Sequence, residues 1–164
     1  MLRTSLALSV FIGFAPISVV LAQELPPEGP IDSIFTWTER QQSMTTAGGM
    51  EAFTAEDFLV VSAASPGSVL DGLAGRCLSA GDQSPTGAAY QARGACTFTD
   101  ESGDQIFETF ETKNGAGTAK LIGGTGKYKG ITADYTFTTS YFGSPAAGVW
   151  QGIGRKTGTY KIAK

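Results

Sequence analysis

Histidine is absent from all 164 residues, and that omission limits the chemistry open to the chain. Ser–His–Asp and Cys–His hydrolysis need an imidazole to take the nucleophile's proton, and histidine metal sites need it as a ligand. Acid–base work therefore falls to a carboxylate whose pKa is raised by an apolar surround, partnered by Arg or Tyr. Three glutamates sit on aromatic-rich segments: Glu39 close to Trp37, Glu108, and Glu111. Glu108 leads, because period-two alternation puts it on one face with Ile106 and Phe110. Tyr135 and Tyr141 are the hydroxyls within reach of such a role. The competing reading is that each acid simply faces solvent, as one side of a half-buried strand does.

The two cysteines, Cys77 and Cys96, lie in LAGRCLS and ARGACTFTD, two strand-like runs joined by the turn-forming stretch Gly81–Gly87. Two strands so joined pair as a hairpin and bring the sulfurs together. A bridge closing a loop of this size contributes about 3 kcal/mol in the chain-entropy model. A redox-active pair normally has C-x-x-C spacing near a helix start, which is not the case here.

Two apparent ligand motifs fail on spacing. A phosphate loop needs G-x-x-x-x-G-K-[ST] before a helix. Leu121 stands where its first glycine belongs, and Tyr128 follows Lys127 where a hydroxyl is required. The dinucleotide pattern fails at Lys129. Asp100, Ser102 and Asp104 hint at a calcium loop, but their offsets and the missing helix favour a type I turn with a glycine bulge. No metal and no cofactor is expected.

The elements that position these residues read as strands throughout. Runs rich in Thr, Phe, Tyr and Ile span Ile34–Gln42, Phe53–Ala63, Leu73–Ser79, Ala89–Thr99, Gln105–Thr112, Thr118–Ile122, Ile131–Phe142, Val149–Lys156 and Thr159–Ile162. Glycine-rich breaks separate them, and no segment has a helical period. The 22 glycines are nearly double an average share of about 7%, and most are expected in or beside turns. Eight or nine short strands without a covering helix leave a sandwich or a closed barrel. Aromatics favour the barrel: Tyr135, Phe137 and Tyr141 share one face of their strand. The reading is all-β, a single antiparallel closed β-barrel of about eight strands. Its pocket would be lined by Trp37, Phe110, Tyr135, Phe137 and Tyr141.

Residues 1–22 have a basic start (Arg3), an apolar run from Leu6 to Leu21 and small residues at Val20 and Ala22. That is a secretory signal peptide cut after Ala22. Pro16 and Gly13 interrupt a run already short of the roughly 20 residues needed to span a bilayer. Residues 23–32, rich in proline, read as an extended tail, and 33–164 as one domain. The whole chain carries 12 Lys and Arg against 15 Asp and Glu. Loss of Arg3 leaves 11 against 15, a net charge of −4. No basic stripe interleaves with aromatics, so neither nucleic acid nor an anionic membrane face is an expected partner. A secreted or periplasmic location follows.

The turn Gly123-Gly124-Thr125-Gly126-Lys127-Tyr128 with Gly130 resembles the "GGTGKF/Y…G" turn of the allene oxide cyclase-like and dirigent-like barrels of the calycin group. Cys96, Thr99, Asp100, Gly103 and Asp104 resemble the "C-x-x-T-D-x-x-G-D" stretch of exported bacterial members of that group. The similarity spans Gly75 to Tyr135, with Gly123, Gly124 and Gly126 as structural turn residues. It implies an apolar barrel that holds a small apolar or aromatic molecule, or guides its cyclisation or isomerisation by positioning. The alternative reading that the resemblance allows is a non-catalytic, dirigent-like module with a solid core and homo-oligomeric association. No catalytic residue carries across, because the polar groups of such enzymes lie outside the matching segment. Whether the chain is an enzyme therefore stays open, with a cofactor-free isomerase the form it would take.

Overall fold

The computed structural model describes residues 25–86 and 89–163. The signal peptide and its cleavage point lie outside the described residues, as does Gly87 of the cysteine-flanked loop. Eight strands follow one another: β1 Glu28–Thr45, β2 Glu51–Ala63, β3 Ala74–Gln83, β4 Tyr90–Thr99, β5 Gln105–Lys113, β6 Ala116–Gly124, β7 Ile131–Ala146 and β8 Val149–Ile162. Each pairs antiparallel with its sequence neighbours, and β1 closes on β8. The result is a sealed eight-stranded barrel without an open edge. Among the described residues no helix is long and apolar enough to cross a membrane.

Three boundaries differ from expectation. β1 begins at Glu28, so residues 28–32 belong to the barrel and not to a tail, and Ile31 is fully buried. Pro30 is tolerated because its carbonyl faces Val69, away from the β8 ladder; its missing N–H therefore falls on the side that needs no ladder bond. Val149 to Ile162 is one strand, since Gly158 stays extended and pairs with Tyr135. β7 runs past Gly143 through two register shifts, and the chain turns at Gly148.

Glycines do more than turn the chain. Gly123, Gly126 and Gly130 have positive φ and shape the β6–β7 connection, whereas Gly124 has no positive φ and pairs with Ile106 at the end of β6. Many others are extended and face inward, each directly across from an aromatic ring on the neighbouring strand. The pairs include Gly75–Phe98, Gly94–Phe110, Gly117–Phe137, Gly152–Trp37, Gly154–Phe35 and Gly158–Tyr135. A Cβ added at Gly75 would lie 2.6 Å from the Phe98 ring, and one at Gly94 would lie 2.8 Å from Phe110. A narrow barrel has no interior room for large side chains on every strand. Alternating glycine and aromatic around the wall lets each ring cover its neighbour's bare backbone.

One end of the barrel is plugged. The connection between β2 and β3 folds inward and buries Ser68, Val69, Leu70 and Leu73. Ser68 Oγ lies 2.6 Å from Ser33 Oγ, and the Val69 amide donates to the Pro30 carbonyl. Tyr128, in the 3-10 turn Gly126–Tyr128, is 3% exposed and seals the same end. Asp104 accepts from the Lys127 amide of that turn at 3.1 Å. Asp100 accepts from the Ser102 and Asp104 amides, a turn arrangement as expected, and its other oxygen lies 2.7 Å from Lys127 Nζ. Burial alone would raise Asp100, but Lys127, Ser102 and the two amides hold it well below the ordinary carboxylate range. The opposite end, where β1–β2, β3–β4, β5–β6 and β7–β8 turn, stays open.

Candidate functional site

At mid-height the wall turns polar. Lys156 on β8 follows Gly152 and Gly154 on the inward face, and Glu108 on β5 follows Ile106. Lys156 Nζ lies 2.9 and 2.6 Å from the two Glu108 oxygens and 2.9 Å from the Tyr135 hydroxyl. Tyr135 in turn donates to Glu108. Lys156 also lies 4.4 Å from the centre of the Phe98 ring. Burial lowers the Lys156 pKa against the pull of Glu108, and burial with the adjacent carboxylate raises Tyr135 well above an ordinary phenol. All three ammonium donors are committed, so Lys156 is a strut across the barrel and has no free lone pair for attack.

Above this strut is a cavity of about 70 Å³. Phe35, Trp37, Phe110, Phe137 and Tyr141 give its apolar wall, with Cys77 and Cys96 beside them. The cysteines are bridged, paired directly across β3 and β4 with Cα atoms 4.0 Å apart. Near the mouth, Glu39 on β1 lies opposite Asp57 on β2. Burial first, then repulsion from and hydrogen bonding with Asp57, pushes Glu39 up to about 8. Burial pushes Asp57 up to about 6, partly offset by its hydrogen bond with Glu39. At neutral pH the pair therefore holds one proton and one negative charge.

Aromatic rings frame these acids. Tyr141 meets Trp37 edge-on at 5.0 Å, Trp150 at 6.2 Å and Tyr90 at 6.5 Å. Tyr90 stacks on Phe53 at 5.5 Å. Trp37 is 7% exposed, and its Nε1 has no hydrogen-bond partner among the described residues. A buried donor left unpaired is costly and marks a place where a ligand or water supplies an acceptor.

Of the pocket residues expected from sequence, Trp37, Phe110, Phe137 and Tyr141 line the cavity. Tyr135 does not; it lies in the strut, engaged by Glu108 and Lys156. Glu39 and Glu108 face inward, whereas Glu111 is exposed on the outer face of β5. Glu111 is one residue out of phase with Glu108 and Phe110, so the pleat turns it to solvent. Asp57, Tyr90 and Lys156 join the site without being among the residues singled out from sequence. Alternation through Phe53, Ala55, Asp57, Leu59 and Val61 was the signal for Asp57. Alternation through Gly152, Gly154, Lys156 and Tyr160 was the signal for Lys156.

No family model and no curated protein matches the chain. Among solved structures the chain is similar in shape to a pterocarpan synthase dirigent protein. The TM-score is 0.49 at 10% identity, over 91% of this chain and 97% of that one. The fold and site define a disulfide-bridged, closed eight-stranded antiparallel barrel with one sealed end and an acid-lined opening at the other.

Proposed function

We propose that this is an exported barrel that takes a small aromatic molecule, or the terminal group of a larger one, into its open end. The observation that carries the reading is the cavity itself, lined by aromatic rings, by the proton-holding Glu39–Asp57 pair and by Trp37, whose indole N–H has no partner among the described residues. At about 70 Å³ it is smaller than the few hundred cubic ångströms expected of a ligand site, because aromatic rings and the Lys156 strut fill the rest. Only part of a ligand enters, and the remainder rests on the rim at Tyr90 and Tyr141. Glu39, protonated at neutral pH, is the resident acid. A bound molecule with a protonatable double bond or carbonyl would be cyclised or isomerised there by proton delivery and return. The disulfide fits an oxidising compartment, in keeping with the signal peptide read from residues 1–22.

Native mass spectrometry of protein purified from an exporting cell tests the reading. A retained small molecule is expected in the wild type and absent from Ser79→Phe, which fills the cavity. An empty wild type that also binds no aromatic probe overturns it.

A second reading rests on the outer face, where Phe58, Val60, Leu78 and Phe142 are 43%, 61%, 56% and 70% exposed. Such apolar surface favours a packed module that associates with further copies of itself. Sedimentation across a concentration series separates the two: self-association unaffected by Ser79→Phe supports it, and a monomer at all concentrations excludes it.

A further inference from the structure

The charges around the cavity do not balance. Glu39, Asp57, Glu108 and Lys156 are its ionisable acids and base, and Lys156 is fully engaged with Glu108 and Tyr135. Neither Glu39 nor Asp57 has a salt bridge to any basic side chain among the described residues. The neighbouring cation in sequence, Arg40, points outward and sits 5.9 Å from the Phe58 ring. The remaining titratable groups at the mouth, Tyr90 and Tyr141, are phenols held neutral by burial. A carboxyl pair with a net negative charge thus lies beside the rings of Tyr90, Tyr141 and Trp37, with Trp150 directly across from Glu39 on β8. That surround suits an organic cation, which aromatic faces attract and a partly desolvated carboxylate neutralises. Trp37, which lines the cavity, also has an indole N–H without a partner among the described residues, and this calls independently for an acceptor.

We infer that the molecule entering the barrel carries an ammonium group, seated among Trp37, Tyr90 and Tyr141 against the Glu39–Asp57 carboxyls, with an oxygen nearby to accept from the Trp37 indole. This rests on the binding reading above and narrows it to amines and quaternary ammonium compounds bearing an oxygen.

Calorimetric titration of the intact protein with three probes tests it. Choline has the cation and the oxygen, 3,3-dimethylbutan-1-ol is its uncharged isostere, and benzyl alcohol is a neutral aromatic. Choline is expected to bind at least tenfold more tightly than the isostere and to shift one of the two indole N–H resonances, the one that remains in Trp150→Phe. Its affinity should fall several-fold from pH 8 to pH 5 in the wild type, as Asp57 takes up a proton, and the charge preference should vanish in Asp57→Asn. The isostere binding as well as choline, or choline failing while benzyl alcohol binds, overturns the ammonium assignment and leaves the binding reading intact. If none of the three binds, both fall.

Discussion

Trp37 on β1 lies directly across from Gly152 on β8, and a Cβ at position 152 would stand 2.5 Å from the indole Cζ2. The wall is bare at 152 so that the ring can lie over it. Gly152→Ala should therefore destabilise the barrel by about 1–3 kcal/mol through overpacking, and it should move Trp37 off the cavity. Urea unfolding measures the first effect and the indole fluorescence maximum the second. A neutral substitution would mean that the ring has slack that the barrel does not show.

The carboxyls at the mouth make stability depend on pH in a defined direction. Glu39 rises from 4.5 to about 8 on folding, and Asp57 from 3.8 to about 6. The folded state thus binds more protons than the unfolded one between these values, so the pair's contribution to stability is full below about pH 4 and declines as pH rises towards 8. Asp100 is lowered on folding and acts below its ordinary 3.8, outside this window. Urea midpoints should fall from pH 5 to pH 8 in the wild type, and the slope should flatten in Glu39→Gln. A midpoint that rises over this range contradicts the assignment.

Lys156→Met leaves Glu108 buried without its counter-charge. Removing one partner of a buried pair costs about 3–5 kcal/mol, whereas replacing both is often close to neutral. The double variant Lys156→Met with Glu108→Gln should recover much of the loss in the same unfolding assay. A single variant as stable as the wild type would show the strut to be dispensable.

The Cys77–Cys96 bridge spans 19 positions, and a cross-link of that length stabilises by about 3 kcal/mol in the chain-entropy model. Cys77→Ala with Cys96→Ala should lower the unfolding free energy by that order while keeping the eight-stranded circular dichroism signature. Loss of the fold altogether would mean that the bridge is needed for β3–β4 pairing itself.

The barrel was legible because period-two alternation and turn glycines are local signals. The same alternation in β7 placed Phe137 and Tyr141 on the inner face, and in β5 it separated Glu108 from Glu111. What stayed hidden was relational. Asp57 becomes a partner of Glu39 only once β1 and β2 take a particular register. Gly152 and Gly154 look like weak strand positions until Trp37 and Phe35 are seen to need bare backbone opposite. Lys156 reads as a solvated charge unless its strand is known to face Glu108 and Tyr135 across the interior. Cavity size was the least accessible quantity, since it depends on how many rings share one small cylinder.

Seven of the eight ladders join strands adjacent in the chain and can zip up as successive hairpins. The eighth, from Glu28↔Lys161 to Arg40↔Val149, links the two extremes of the sheet and must wait for the last strand to arrive. Until then β1 and β7 are raw margins able to recruit foreign strands. Truncation within β8 would therefore strip two seams at once and turn a self-contained stave ring into an adhesive ribbon.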